Sequence, residues 1–175
     1  MPDLIADVTY EFRKHKGLAD QAVAGLPDEA FFRRPAEHVN PVALIVKHLA
    51  GNLLSRWTDF LTTDGEKPTR GRDNEFVLTP ADTRESLAAA WERGWAALFA
   101  ALAGLTDADL DRVIHIRGEP HRAQQALLRG LDHAAYHVGQ ILYLARLLNP
   151  GGRWLTVPPG ASQTHRPAGG YLKSS

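Results

Sequence analysis

Apolar residues recur at helical spacing in four long segments, each closed by proline, glycine or a polar cluster, and this pattern predicts an all-α fold. The first segment, residues 2–24, sets Leu4, Val8, Phe12 and Leu18 or Ala19 on one face and stops at Gly25-Leu26-Pro27; Pro2 is compatible with a helix start. A short helical piece, residues 28–32, leads into a break at Arg34-Pro35. The second long helix opens at Asn40-Pro41, where Asn caps free amides and Pro suits the first helical position, and runs through Trp57 to Phe60-Leu61. Residues 62–79 turn polar and rich in Gly, Pro and charge, which predicts a long connection, a crossover or a lid.

The third helix starts near Pro80-Ala81-Asp82, presents Leu87, Trp91, Leu98 and Leu102 on one face and ends at Gly104. Residues 105–111 suit another short helix, and residues 113–118 have enough β-branched character to be extended. The fourth helix starts near Glu119-Pro120 and runs to Leu148, closed by Asn149-Pro150-Gly151-Gly152. One helical domain, residues 1–150, is therefore expected, followed by an irregular Pro- and Gly-rich tail, residues 151–175.

Composition narrows the chemistry. Lys and Arg number 20 against 20 Asp and Glu, so there is no basic excess to attract nucleic acid, and a small or uncharged ligand fits better. The chain has no cysteine, which excludes disulfides, thiolate nucleophiles and Cys-ligated metal; any metal must rest on His, Asp or Glu. No leader pattern opens the chain and no stretch reaches the length of a membrane span, so the cytoplasm is the expected location.

His133 and His137 stand four apart on the fourth helix, one turn above the other. Chance alone supplies roughly 0.4 such pairs in a chain with this many histidines, so the spacing by itself is weak. Its context is stronger: Leu127, Gly130, Ile141 and Leu144 share the stripe, which places two imidazoles toward the core, where they need partners. A pair alone more often satisfies itself with neighbouring carbonyls. His48, in an apolar run of the second helix, changes that balance, because facing the pair it completes a three-imidazole set like that of an open catalytic zinc site. Gln140 and Asn52 lie three and four residues beyond a histidine and are candidates for contacts to the imidazoles or to substrate; Arg129, one turn before His133, is a candidate for an anionic substrate group or a surface ion pair. His15, His38, His115, His121 and His165 read as solvated. No H-E-x-x-H, Glu-x-x-His pair, G-x-S-x-G or P-loop occurs.

Two stretches together resemble the DinB superfamily, which includes YfiT-like proteins. One is Arg34-Pro35 followed by Asn40-Pro41 and a helix bearing His48-Leu49; the other is the His133-x-x-x-His137-x-x-Gln140 helix. The resemblance spans residues 1–148. It implies an up-down-down-up four-helix bundle with a long crossover between helices 2 and 3, and one divalent ion, zinc, nickel or iron, on His48, His133 and His137. For activity it implies a metal-dependent thiol-cofactor S-transferase, with a low-molecular-weight thiol as cosubstrate, or a hydrolase. The other reading is a non-catalytic stress-response bundle in which the ion is structural. A small-molecule substrate and a homodimer complete the expectations, with neither nucleic acid nor membrane as a partner.

Overall fold

The structure, a computed structural model, describes residues 3–164. Pro2 and His165 thus lie outside the described residues, as does the tail from residue 165 onward. Asp3 caps the first helix by accepting the Ala6 amide at 2.8 Å, and α1 runs Leu4–Ala24. After Gly25 comes α2, Asp28–Phe32, the short piece expected from the sequence.

The second long helix, α3 (Val42–Trp57), is shorter at both ends than its periodicity suggests. Pro41 itself occupies the cap position with extended backbone and accepts the Leu44 and Ile45 amides through its carbonyl, so Asn40 does not cap. Thr58 turns extended and Asp59 takes a left-handed φ of 50°, which ends the helix before Phe60. Next comes α4 (Arg84–Ala103), capped by Thr83 through the Ser86 amide rather than starting at Pro80.

The largest departure from an all-α reading lies between α4 and the last helix. Residues expected to open that helix form instead a hairpin of β1 (Val113–Ile116) and β2 (Glu119–Arg122), antiparallel, with Ile116 opposite Glu119. Arg117 (φ 57°) and Gly118 (φ 75°) make its two-residue turn, which needs positive φ at both positions. Asp64 anchors this turn from afar, accepting the Arg117 amide at 2.8 Å and the Gly118 amide at 2.7 Å. Pro120 is tolerated because the sheet has only two strands, so each is an edge. Only then does α5 (Ala123–Leu148) begin.

The described chain is thus mostly helical, with five α-helices and one two-stranded sheet. The four long helices share one core: α3 packs chiefly on α4 and α1 on α5, with further contacts between α3 and α5 and between α1 and α4. Phe12 of α1 meets Trp57 and Trp95 edge-on, at ring separations of 5.9 and 6.3 Å, tying three helices at one point. Polar pins add direction, since Asp20 of α1 accepts from Trp91 Nε1 of α4 at 2.7 Å. Among the described residues no helix is long and apolar enough to cross a membrane.

Residues 58–83, between α3 and α4, are not a bare linker. They hold a 3-10 turn, Arg72–Phe76, that packs against α3 and brings charged side chains onto its buried face.

Candidate metal centre

His48 is 4% exposed, in the middle of α3, where an unpartnered imidazole would cost a few kcal/mol. Its partner comes from the long connection. His48 Nδ1 donates to Glu75 Oε2 at 2.8 Å, and Arg70 clamps the same carboxylate with two hydrogen bonds, Nε to Oε1 and Nη2 to Oε2, both 2.7 Å. Burial alone would push the Glu75 carboxyl up, but the bonds from His48 and Arg70 and the charge of Arg70 hold it below the usual carboxylate range. Phe76 lies against the imidazole at 4.6 Å. Gly51, one turn from His48, makes room: a methyl group there would run into the Glu75 carboxylate.

On α5, His137 Nδ1 donates to Gln140 Oε1 at 2.9 Å, which leaves its Nε2 as a lone-pair donor. That nitrogen faces His133 Nε2 at 3.2 Å. Two imidazole nitrogens held at about 2.05 Å by one tetrahedral ion stand about 3.3 Å apart, so the spacing suits a shared cation. His48 lies across from both, with ring separations of 5.4 Å to His133 and 4.9 Å to His137. Taking one donor atom from each histidine, all three atoms fall within 4.8 Å of one another, so the group can hold a metal ion.

Electrostatics favour the same use. Burial, reinforced by His137, His48, Arg56 and Arg70, pushes His133 down to about 3, and burial also lowers His137. Both imidazoles are therefore neutral at pH 7, the form that binds a cation. His48 and His137 each spend Nδ1 on an oxygen acceptor, which orients Nε2 inward, an arrangement common to ligating histidines.

A cavity of about 290 Å³ opens onto His48 and His133. Asn52 lines it, as does Arg129, whose Nη1 donates to His121 Nε2 at 2.9 Å; Arg129 forms no surface ion pair among the described residues. Gln140 meets His137 directly. The structure thus brings every sequence-expected residue to one region and adds Glu75 and Arg70, which nothing in their polar segment singles out. Arg56 also lines the cavity, and its signal was available: His48, Asn52 and Arg56 follow at intervals of four. Of the remaining histidines, His38 and His115 are exposed, whereas His121 is half-buried against Arg129 and His15 is half-buried with Nδ1 unpartnered.

None of the curated proteins matches the chain. A family model does, over residues 2–161, which takes in all five helices, the hairpin and the first part of the tail. The chain belongs to the family described as Protein of unknown function (DUF1572).

Proposed function

We propose that this protein is a DinB-like four-helix bundle, residues 1–150, that holds one divalent ion on His48, His133 and His137 and uses it in catalysis. The observation that carries the reading is the combination of three converging imidazoles, two of them oriented from behind by Glu75 and Gln140, with a cavity that opens onto His48 and His133. A structural site would be closed by a fourth protein ligand; among the described residues the group of metal-competent side chains stops at three. When bound, a divalent ion on such a set supplies Lewis-acid activation of a thiol or of water, which suits a thiol-cofactor S-transferase or a hydrolase.

The chain's own residues do the rest. Glu75 and Arg70 fix the His48 ring, Gln140 fixes the His137 tautomer, and Asn52, with no hydrogen bond among the described residues, offers its amide to a ligand in the cavity. Zinc, nickel and iron all accept imidazole ligands.

The test loads the full-length protein with cobalt(II) and adds a small thiol. A new sulfur-to-cobalt absorption band is expected, and it should vanish in His133→Ala. An unchanged spectrum at saturating thiol, with cobalt fully bound, would exclude the S-transferase, and an unchanged spectrum with azide as well would mark the site as closed and the ion as a fastener between α3 and α5.

A further inference from the structure

Two rows of side chains converge on the cavity beside the imidazoles. On α3, His48, Asn52 and Arg56 follow at intervals of four; on α5, Arg129 precedes His133 by the same interval. Arg70 and Arg72 from the long connection and Arg117 from the hairpin turn complete a set of five arginines, against one acidic lining residue, the exposed Asp132. A chain with no net charge has gathered a quarter of its 20 basic residues around one small space.

What these guanidiniums are already bound to decides what they can still bind. Arg70 is committed to Glu75 and, at 3.0 Å, to Glu66. Arg72 has a long 3.7 Å contact to a fully exposed Asp73 and lies over the Phe76 ring. The other three are free or nearly so. Arg117 reaches Glu66 only at 3.5 Å, on an oxygen Arg70 already uses. Arg129 bonds an imidazole, and Arg56 has no ion pair or hydrogen bond among the described residues. Arg56 is half-buried, and its guanidinium is pushed down to about 10 by burial and by Arg129, Arg70 and Arg117, with Glu66 opposing. A cation held among cations and away from water calls for an anion.

The backbone gives a second, independent sign. Arg117 occupies a left-handed conformation that costs most residues with a Cβ, in a turn where Gly carries no strain and Asn little. His38 and Asp59 also take a positive φ, but of the three only Arg117 lines the cavity, and Asp64 pins the turn that carries it there.

We infer that the cavity binds a small dianion, a dicarboxylate or a phosphate group, between Arg56, Arg117 and Arg129, with the rest of the molecule directed at His48 and His133. The placement of a reacting end rests on the metal-enzyme reading above; the anion site itself does not. At about 290 Å³ the space is at the lower end for ligand pockets, which limits the ligand to metabolite size.

The test is calorimetric titration of the full-length, metal-loaded protein in low-chloride buffer with succinate and with inorganic phosphate, beside succinamide as the uncharged analogue. At least one dianion should bind and succinamide should not; the tighter of the two dianions identifies the anionic group. Arg56→Gln and Arg129→Gln should each weaken that binding at least about tenfold, the loss of one charge-assisted contact. Arg117→Asn, at an exposed turn that tolerates Asn, should weaken it as well while the fold is retained, so a misfolded Arg56 variant leaves the question decidable. Equal binding of succinamide, failure of both dianions, or affinities within twofold of wild type in Arg129→Gln and Arg117→Asn would overturn the inference. Metal content, measured on the same samples, separates the two proposals. A protein that takes up no metal on loading yet binds the dianion contradicts the metal reading alone, and a metal-loaded protein that binds neither dianion contradicts this one alone.

Discussion

Replacing Glu75 probes the part of the site that the primary structure hides. The Glu75 side chain is 10% exposed, and its carboxylate accepts three charge-assisted hydrogen bonds, two from Arg70 and one from His48. Glu75→Ala leaves the Arg70 guanidinium, at the end of a side chain 5% exposed, with only Glu66 as a counter-ion and frees the His48 ring to rotate. Breaking a buried ion pair from one side costs about 3–5 kcal/mol. For a chain of this size that is a fall in melting temperature of about 6–20 °C. Glu75→Gln keeps the shape and an acceptor for His48 Nδ1 but not the charge, so its melting temperature should fall by less. Its metal affinity should still drop about 10- to 100-fold, the usual consequence of losing a carboxylate behind a ligating histidine. Thermal melts of the chelator-treated protein read the first effect, and competition with a chromophoric chelator reads the second. A Glu75→Ala melting temperature within a degree of wild type, or a Glu75→Gln affinity within twofold, would refute the role assigned to this pair.

Three further outcomes follow from the same geometry. Gly51→Ala should reproduce the metal-affinity loss of Glu75→Gln with the helices intact by circular dichroism, because the added methyl displaces the Glu75 carboxylate; unchanged affinity would contradict this. Arg117→Asn should stabilise the anion-free protein by about 0.5–1 kcal/mol through relief of left-handed strain, read as a higher melting temperature; a lower one would show that the side chain supports the turn. In the metal-free protein, His133 takes up its proton far below its unfolded value, so the unfolded chain binds more protons between about pH 6.5 and 3. Stability should therefore be full above pH 6.5 and fall on acidification by up to about 1.4 kcal/mol per pH unit from this residue, with His137 adding in the same direction. Glu75, held below its usual carboxylate range, adds a loss of the same sign that begins only as the pH falls below its unfolded value and is complete below its folded one. Denaturant melts from pH 7.5 to 4.5, beside His133→Ala, check this; equal slopes would sink it.

Helical periodicity carried most of the architecture. The Leu4, Val8 and Phe12 stripe of α1, the short α2 and the Gly104 end of α4 all lie where the pattern places them, because each depends on local spacing and local stop signals. The start of α5, at Ala123, departs from the periodic pattern for a physical reason. Glu119-Pro120 looks like a helix opening, yet the left-handed pair Arg117-Gly118 and its distant anchor Asp64 fold that stretch into a hairpin, and a contact across more than fifty residues leaves no local trace. The same holds at the candidate site. His48, His133, His137 and Gln140 stand at helical intervals and could be seen together, whereas Glu75 and Arg70 sit in an aperiodic connection among several other charged residues, and only folding brings them to His48. Net charge misled in its own way: a total of zero conceals a local excess of arginine, since charges cancel in a sum but not in a cavity.

The central claim is that three histidines on two helices hold one ion. Elemental analysis of the purified full-length protein, wild type beside His133→Ala and His48→Ala, tests it most directly. About one divalent ion per chain in the wild type and little in either variant is the expected result; equal metal content in all three, or none in a wild-type protein reloaded with zinc or nickel, would contradict it.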